Sequence, residues 1–430
     1  MTVLPAIIDI RAAERPVDAT VWLPGSKSYT NRALIIAAMA GGESLVRSAL
    51  FSDDTDYMAS ALRTLGIAVE EDVGAASFRV SGAGGGIPAG DAELFVGNAG
   101  TAARFLTAFV ATGHGRYVVD GNERMRQRPI QPLLDALQQL NVRASAQLGN
   151  GCPPVVVEAA GLAGGKARIP GNISSQYFSA LLMAGPLSRD GIELEVEGDL
   201  VSKPYTEMTL STMLAFGAEG SNEEFRRFRV PGGQRYTGRA YDVEPDASGA
   251  SYFFAAAAVT GGRVRVLHLG RDSAQGDLHF VDLLERMGCT VNRAGDYTEV
   301  IGTGVLGGIE ADMADISDTA QTLAAIAPFA TGPVTISGIA HVRGKETDRV
   351  AAMATELRRL GQRVDERPDG LTIHPAPVQP AEIETYDDHR MAMSFAVTGL
   401  RAHGVRIKDP GCVSKTFPDF WERFARMVVG

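Results

Sequence analysis

Six times along this chain a small polar residue opens an Ala-rich apolar run that stops at a glycine and passes into a β-branched stretch. The openings are Ser28, Thr101, Ser175, Ser248, Asp318 and Asp388, spaced by 73, 74, 73, 70 and 70 residues. The closing glycines are Gly42, Gly115, Gly191, Gly262, Gly332 and Gly404, spaced by 73, 76, 71, 70 and 72. Two independent sets of landmarks with one period imply six copies of one supersecondary unit. Each opening residue is of a type that caps helix N-termini. Each copy is therefore expected to present a positive helix end with unpaired N–H groups, a setting that suits anions. Lys27, Arg32, Arg104, Lys203 and Arg390 stand near these openings. The pattern predicts a scaffold that aims several helix ends at a substrate with several negative charges.

A second signature repeats in step. The segments 61–66 (ALRTLG), 136–141 (ALQQLN), 212–217 (TMLAFG), 283–288 (LLERMG) and 356–361 (ELRRLG) read as the last turns of amphipathic helices. Their final glycine or asparagine suits a left-handed C-cap. Their ends lie 75, 76, 71 and 73 residues apart, and a degenerate sixth copy occupies 420–427. The unit reads as strand, helix, strand, helix and a returning strand.

A chain of 430 residues exceeds one ordinary core, and six units divide into three and three. The expected domains are 1–23 with 245–430, and 24–244, with hinge segments near 22–24 and 241–245. Segment 3–11 reads as a strand outside the first full copy and is expected to pack with the C-terminal half. Two thin connections predict a hinge. The net charge of −10 argues against a general nucleic-acid binder. No apolar run approaches the length of about 18 residues that a membrane helix needs. No basic segment precedes an apolar core at the N-terminus, so no secretory signal is expected and the cytoplasm is the expected compartment. Cys152, Cys289 and Cys412 are few, distant and without metal spacing, which predicts reduced thiols and no metal site.

Eight segments carry polar chemistry. LPGSKSYTNR (23–32) delivers Lys27 and Ser28 to a helix start, with Arg32 one turn in on the face of Ser28. It is not a phosphate-binding P-loop, because Gly25 is followed by Ser26; Gly344-Lys345 fails too, being followed by Glu346. GNAGTAAR (97–104) sets Gly100 where backbone can approach a ligand, with Thr101 expected as the cap. RMRQRPIQP (124–132) is a basic loop holding Arg128. NISSQY (172–177) offers Ser174, Ser175 and Gln176, and SKPY (202–205) offers Ser202 and Tyr205. Asp318 in ISDTAQT is an N-cap type carboxylate that, facing cations, could act as a general base. HVRGKETDR (341–349) places His341, Lys345, Glu346 and Arg349 together; Lys345 and Arg349, four apart, read as one face of a helix ending at Gly361. YDDHRMAM (386–393) puts His389 and Arg390 in the first turn of the sixth copy, and DPGCVSKTFPD (409–419) presents Lys415.

Taken in order from Leu23 to Phe420, these motifs closely resemble the 5-enolpyruvylshikimate-3-phosphate synthase family. The resemblance implies an α/β (α+β) fold: a two-domain inside-out α/β barrel of six βαβαββ repeats, three per domain, with helix N-termini facing an interdomain active-site cleft. It implies transfer of the enolpyruvyl group of phosphoenolpyruvate to the 5-hydroxyl of shikimate 3-phosphate through a tetrahedral intermediate, with phosphate released. No metal and no organic cofactor are implied. The implied partners are the two small-molecule substrates and the inhibitor glyphosate, with no nucleic acid and no membrane, in a monomer. By resemblance Lys27 meets both substrates. Ser28, Arg32, Ser174, Ser175, Ser202, Tyr205, Asp318, His341 and Lys345 hold shikimate 3-phosphate. Gly100, Arg128, Gln176, Arg349, Arg390 and Lys415 hold phosphoenolpyruvate. Asp318 is the implied base, and Glu346, with Lys27, the implied acid.

Two positions depart from the family pattern: His341 replaces a common Asn, and Phe105 replaces a common Pro. The paralogous transferase acting on UDP-N-acetylglucosamine uses a cysteine in the region between Gly115 and Arg128, and this chain has none there. A catalytically inactive anion-binding homologue would be expected to lack Asp318, Glu346 or Lys27, and all three are present.

Overall fold

The computed structural model describes residues 4–429. The chain divides into two compact units, one of residues up to Pro24 together with Pro245 onward, the other Gly25–Glu244. Each has its own apolar core.

Six sheets among the described residues follow one plan. In the second copy, Asp91–Phe95 runs parallel to His114–Asp120 across the helix Gly100–Val110. After the helix Gln131–Gln139, the hairpin Arg143–Ala146 and Val155–Ala160 returns, and its second strand pairs antiparallel with His114–Asp120. The third and fifth copies repeat this order. The first and fourth copies take their opening strand from a distant stretch of chain. Gly41–Arg47 pairs in parallel with Ala240–Asp242, and Arg263–Leu267 pairs in parallel with Asp18–Val21. In the sixth copy Ile7–Asp9 takes the place of the closing hairpin, antiparallel to Val405–Lys408. This strand is shorter than the expected 3–11, and Val3 lies outside the described residues.

The first helix of each copy is the Ala-rich run. In one unit these are Lys27–Met39, Gly100–Val110 and Ser175–Ala184; in the other, Ala247–Thr260, Ala320–Ile326 and His389–Gly399. Nearly every residue in them is buried. A helix apolar all round has no solvent face, and alanine lets neighbours approach closely, so these helices fill the centre of each unit. The second helices keep an amphipathic face. Their expected left-handed ends are present: Gly66, Asn141, Gly217, Gly288 and Gly361 have φ of +85°, +64°, +91°, +105° and +84°.

The expected caps are displaced at most copies. The capping side chains are Ser26, Ser174, Asp246 and Asp388. Ser28, Thr101, Ser175 and Ser248 instead stand inside the first turn, and Asp318 belongs to the 3-10 turn Ser317–Thr319 that leads into its helix. The periodic residue thus marks the start of the helix, not always the cap. Among the described residues no helix is long and apolar enough to cross a membrane.

Candidate active site

In the unit containing the last three copies, the N-terminal halves of the central helices meet. Ser251 and Thr322 share a hydrogen bond of 2.9 Å, and Thr322 and Ser394 one of 3.4 Å, which fixes the three helices side by side at the same level. Just outside this hydroxyl layer stands Asp318. Its Oδ1 accepts from Lys345 Nζ at 2.6 Å and Arg349 Nη1 at 3.1 Å, and its Oδ2 accepts from Arg390 Nη2 at 2.7 Å. Arg390 also donates to Ser248 Oγ at 3.1 Å and to Tyr252 Oη at 3.3 Å. Each of the three copies therefore contributes its first turn to one point.

Arg349 binds two further carboxylates. Nη2 reaches Glu346 Oε2 at 2.8 Å, and Nε reaches Asp388 Oδ2 at 2.7 Å. The helix that carries it starts only at Arg349, with Asp348 as its cap. Lys345 lies before that helix, at the end of the 3-10 turn Ala340–Gly344. The two cations thus do not share a helix face as their spacing predicts; they converge on Asp318 from adjoining elements. His341 Nε2 shares a hydrogen bond of 2.9 Å with Ser317 Oγ, the neighbour of Asp318.

Burial sets the charge states. Arg349 is 1% exposed, and burial opposes its charge, but Asp388, Glu346 and Asp318 outweigh that and hold the guanidinium above its usual range. Burial, and then the adjacent Lys345, push His341 down to about 3, so it is a neutral donor or acceptor at physiological pH. Burial also lowers Lys345, although Asp318 works against the shift. Burial, and then Asp409, raise the carboxyl of Asp387, and Lys415, buried at the end of the turn Pro410–Lys415, works against the shift.

In the Gly25–Glu244 unit, Arg32 is 1% exposed and makes four hydrogen bonds, all to neutral acceptors. Nε donates to Thr209 Oγ1 at 2.8 Å, Nη1 to the Ser28 carbonyl at 2.9 Å, and Nη2 to the Tyr205 carbonyl at 2.9 Å and Ser179 Oγ at 3.2 Å. Its guanidinium lies over the rings of Phe105 and Tyr205, 5.2 and 5.9 Å from their centroids. Burial lowers Arg32 to about 10, and it stays charged at neutral pH. The departure at Phe105 thus supplies an aromatic face beneath a buried cation, in a helix that stays regular.

Arg128 Nη1 donates to the carbonyl and Oδ1 of Asn98, both at 2.9 Å, and its guanidinium lies directly against Gly100. Gln176 Nε2 donates to Thr101 Oγ1 at 3.3 Å, joining the first turns of two central helices. Ser174 caps the second of these, and Ser175 is its buried first residue. Ser202 precedes the helix Pro204–Ala215 with φ of +55°. Lys27 Nζ is 3.4 Å from Asp54 Oδ2.

Several partners escaped the sequence reading. Asp54 beside Lys27, Asn98 beside Arg128, Thr209 and Ser179 beside Arg32, and Tyr252 beside Arg390 are ordinary polar residues in helix or loop contexts. Only the long-range contact marks them. Asp388 was legible as a cap but not as the partner of Arg349.

What the arrangement can do is bind anions and move protons. Cations and helix ends supply the first, and carboxylates lodged among them supply the second.

The EPSP synthase (3-phosphoshikimate 1-carboxyvinyltransferase) family model matches residues 12–424. A 3-phosphoshikimate 1-carboxyvinyltransferase of Trichormus variabilis is 52% identical over 421 residues, covering 98% of this chain and 99% of that protein. A chloroplastic one of Brassica napus is 47% identical over 427 residues, covering 95% and 83%. The solved EPSP synthase of Acinetobacter baumannii superposes with a TM-score of 0.81 at 26% identity, covering 98% of both chains. The repeats, the cation-lined first turns and these relatives place the chain in one family: it belongs to the EPSP synthases (3-phosphoshikimate 1-carboxyvinyltransferases).

Proposed function

We infer that this chain transfers the enolpyruvyl group of phosphoenolpyruvate to the 5-hydroxyl of shikimate 3-phosphate and releases inorganic phosphate. The observation that carries the reading is Asp318 held by Lys345, Arg349 and Arg390, with Glu346 on the other side of Arg349, in a chain of this family.

Each substrate brings a phosphate and a carboxylate. Arg128, Arg349, Arg390, Lys415, Gln176 and the backbone at Gly100 are assigned to phosphoenolpyruvate. Ser28, Arg32, Ser174, Ser175, Ser202, Tyr205, Asp318, His341 and Lys345 are assigned to shikimate 3-phosphate, and Lys27 to both. The Arg32 network supports this assignment, since its acceptors are neutral and its charge has no carboxylate partner among the described residues.

Asp318 takes the proton of the 5-hydroxyl as that oxygen attacks C2 of phosphoenolpyruvate. The C2–C3 π pair takes a proton, supplied by Glu346, and C3 becomes a methyl group. In the tetrahedral intermediate the C2–O bond to phosphate then breaks, a C3 proton leaves, and the double bond returns. Three cations surround the Asp318 carboxylate, and an arriving phosphate or carboxylate that engages Arg349 and Arg390 competes with Asp318 for them.

The same reading proposes a cytoplasmic monomer, in keeping with three buried free thiols, and glyphosate as a competitor of phosphoenolpyruvate. The test is phosphate release that requires both substrates. Asp318→Asn should lower kcat by at least about 100-fold while shikimate 3-phosphate still binds. Near-normal turnover in that variant would move the base to another residue.

A further inference from the structure

The motif YDDHRMAM contains a tyrosine that the chemistry above does not use. Tyr386 and Asp387 both adopt left-handed backbone, with φ of +56° and +54°. Neither is glycine, and two consecutive residues there are costly unless something holds them. The next residue is Asp388, which caps the helix His389–Gly399 through Arg390 N at 2.9 Å and binds Arg349. This unfavourable turn therefore aims both Asp388 and Arg390.

What holds the turn is a buried carboxylate. Tyr386 Oη donates to Glu356 Oε1 at 2.6 Å, and Glu384 N donates to Glu356 Oε2 at 3.1 Å. Arg359 Nη1 closes the group, 3.1 Å from Oε2. The Glu356 side chain is 0% exposed, in a repeat segment where the other copies put Ala61, Ala136, Thr212 and Leu283. Glu356 lies seven residues after Arg349, two turns along the same face of the same helix. One helix thus grips the turn at both ends, through Arg349 on Asp388 and through Glu356 on Tyr386 and Glu384.

We infer that Glu356 and Tyr386 are positioning residues, a latch that sets Arg390 and Asp388 for phosphoenolpyruvate from outside the reacting atoms. The inference rests on the reading that Arg390 holds phosphoenolpyruvate. Tyr386→Phe removes the latch hydrogen bond and keeps the ring. Glu356→Gln keeps the shape and loses one acceptor. Each should raise KM for phosphoenolpyruvate about three- to tenfold, with KM for shikimate 3-phosphate unchanged and kcat within about twofold. The double variant should cost no more than the worse single one, because the two act as a unit. Amide exchange of segment 384–390 should quicken in Tyr386→Phe. Unchanged exchange would overturn the latch. Faster exchange with an unchanged phosphoenolpyruvate KM would overturn its positioning role, provided Arg390→Lys raises that KM. If Arg390→Lys leaves it unchanged, the assignment of Arg390 fails instead, and the exchange result alone decides the latch.

Discussion

Gly100 illustrates how one missing methyl can shape a pocket. A Cβ built there would lie 2.4 Å from Arg128 Nη2 and 2.8 Å from its Cζ. Arg128 is buried and tied to Asn98, so it cannot simply swing away. From sequence the glycine reads as room for a ligand; the structure shows that the neighbour it spares is a cation. Gly100→Ala should therefore raise both KM for phosphoenolpyruvate and the inhibition constant of glyphosate, the latter more because the inhibitor is longer. Steady-state measurement of both constants checks this, and an unchanged ratio would deny the glycine control of pocket length. His341 gives a pH prediction. Its ring titrates near 6.5 when unfolded and is pushed to about 3 when folded, chiefly by burial. Between those values the unfolded chain holds the extra proton, so stability is lost as pH falls through that window and is complete above it. His341→Asn should show a shallower fall in Tm than the wild type between pH 6.5 and about 4.5.

At the scale of elements, the ends of the second helices are where sequence pattern and backbone agree. Gly288 sits at φ of +105°, and a Cβ there would meet nothing nearer than Val305 O at 3.9 Å. Gly288→Ala thus isolates the cost of left-handed backbone, and urea unfolding should show a loss of about 1–2 kcal/mol with turnover unchanged. Gly361→Ala should cost more, since its Cβ would also lie 2.8 Å from Gln379 Cγ. The first helices behave differently. Their Ala-rich runs are legible, but the capping residue is not, because Ser26 and Ser28 are chemically alike in sequence and only the backbone before Lys27 selects Ser26.

At the scale of the molecule, the proposed function assigns residues of both units to each substrate, and the chain passes between the units at Pro24–Gly25 and Glu244–Pro245. On that proposal one ligand engages residues of both units, and two thin connections allow hinge motion on binding. Small-angle scattering should show a smaller radius of gyration with saturating shikimate 3-phosphate, and an unchanged radius would oppose ligand-driven closure.

The sequence by itself determined the sixfold period, the buried Ala-rich helices, the left-handed ends of the second helices and the motifs that carry cations and carboxylates. These are local: periodicity, side-chain size and backbone permissiveness act within a few residues. The unit each opening strand joins was expected from sequence, but only the tertiary structure decided which sheet within that unit it serves. Asp18–Val21 precedes the first copy yet pairs with the fourth, and Ala240–Asp242 precedes the fourth yet pairs with the first. These strands are only four and three residues long, and their sheet is set by long-range pairing within each unit. Tertiary structure likewise decided that Asp388 answers Arg349, that Phe105 lies beneath Arg32 and that Lys345 and Arg349 meet at Asp318 from separate elements. Such pairings join residues distant along the chain, and their energies depend on burial that no local pattern records.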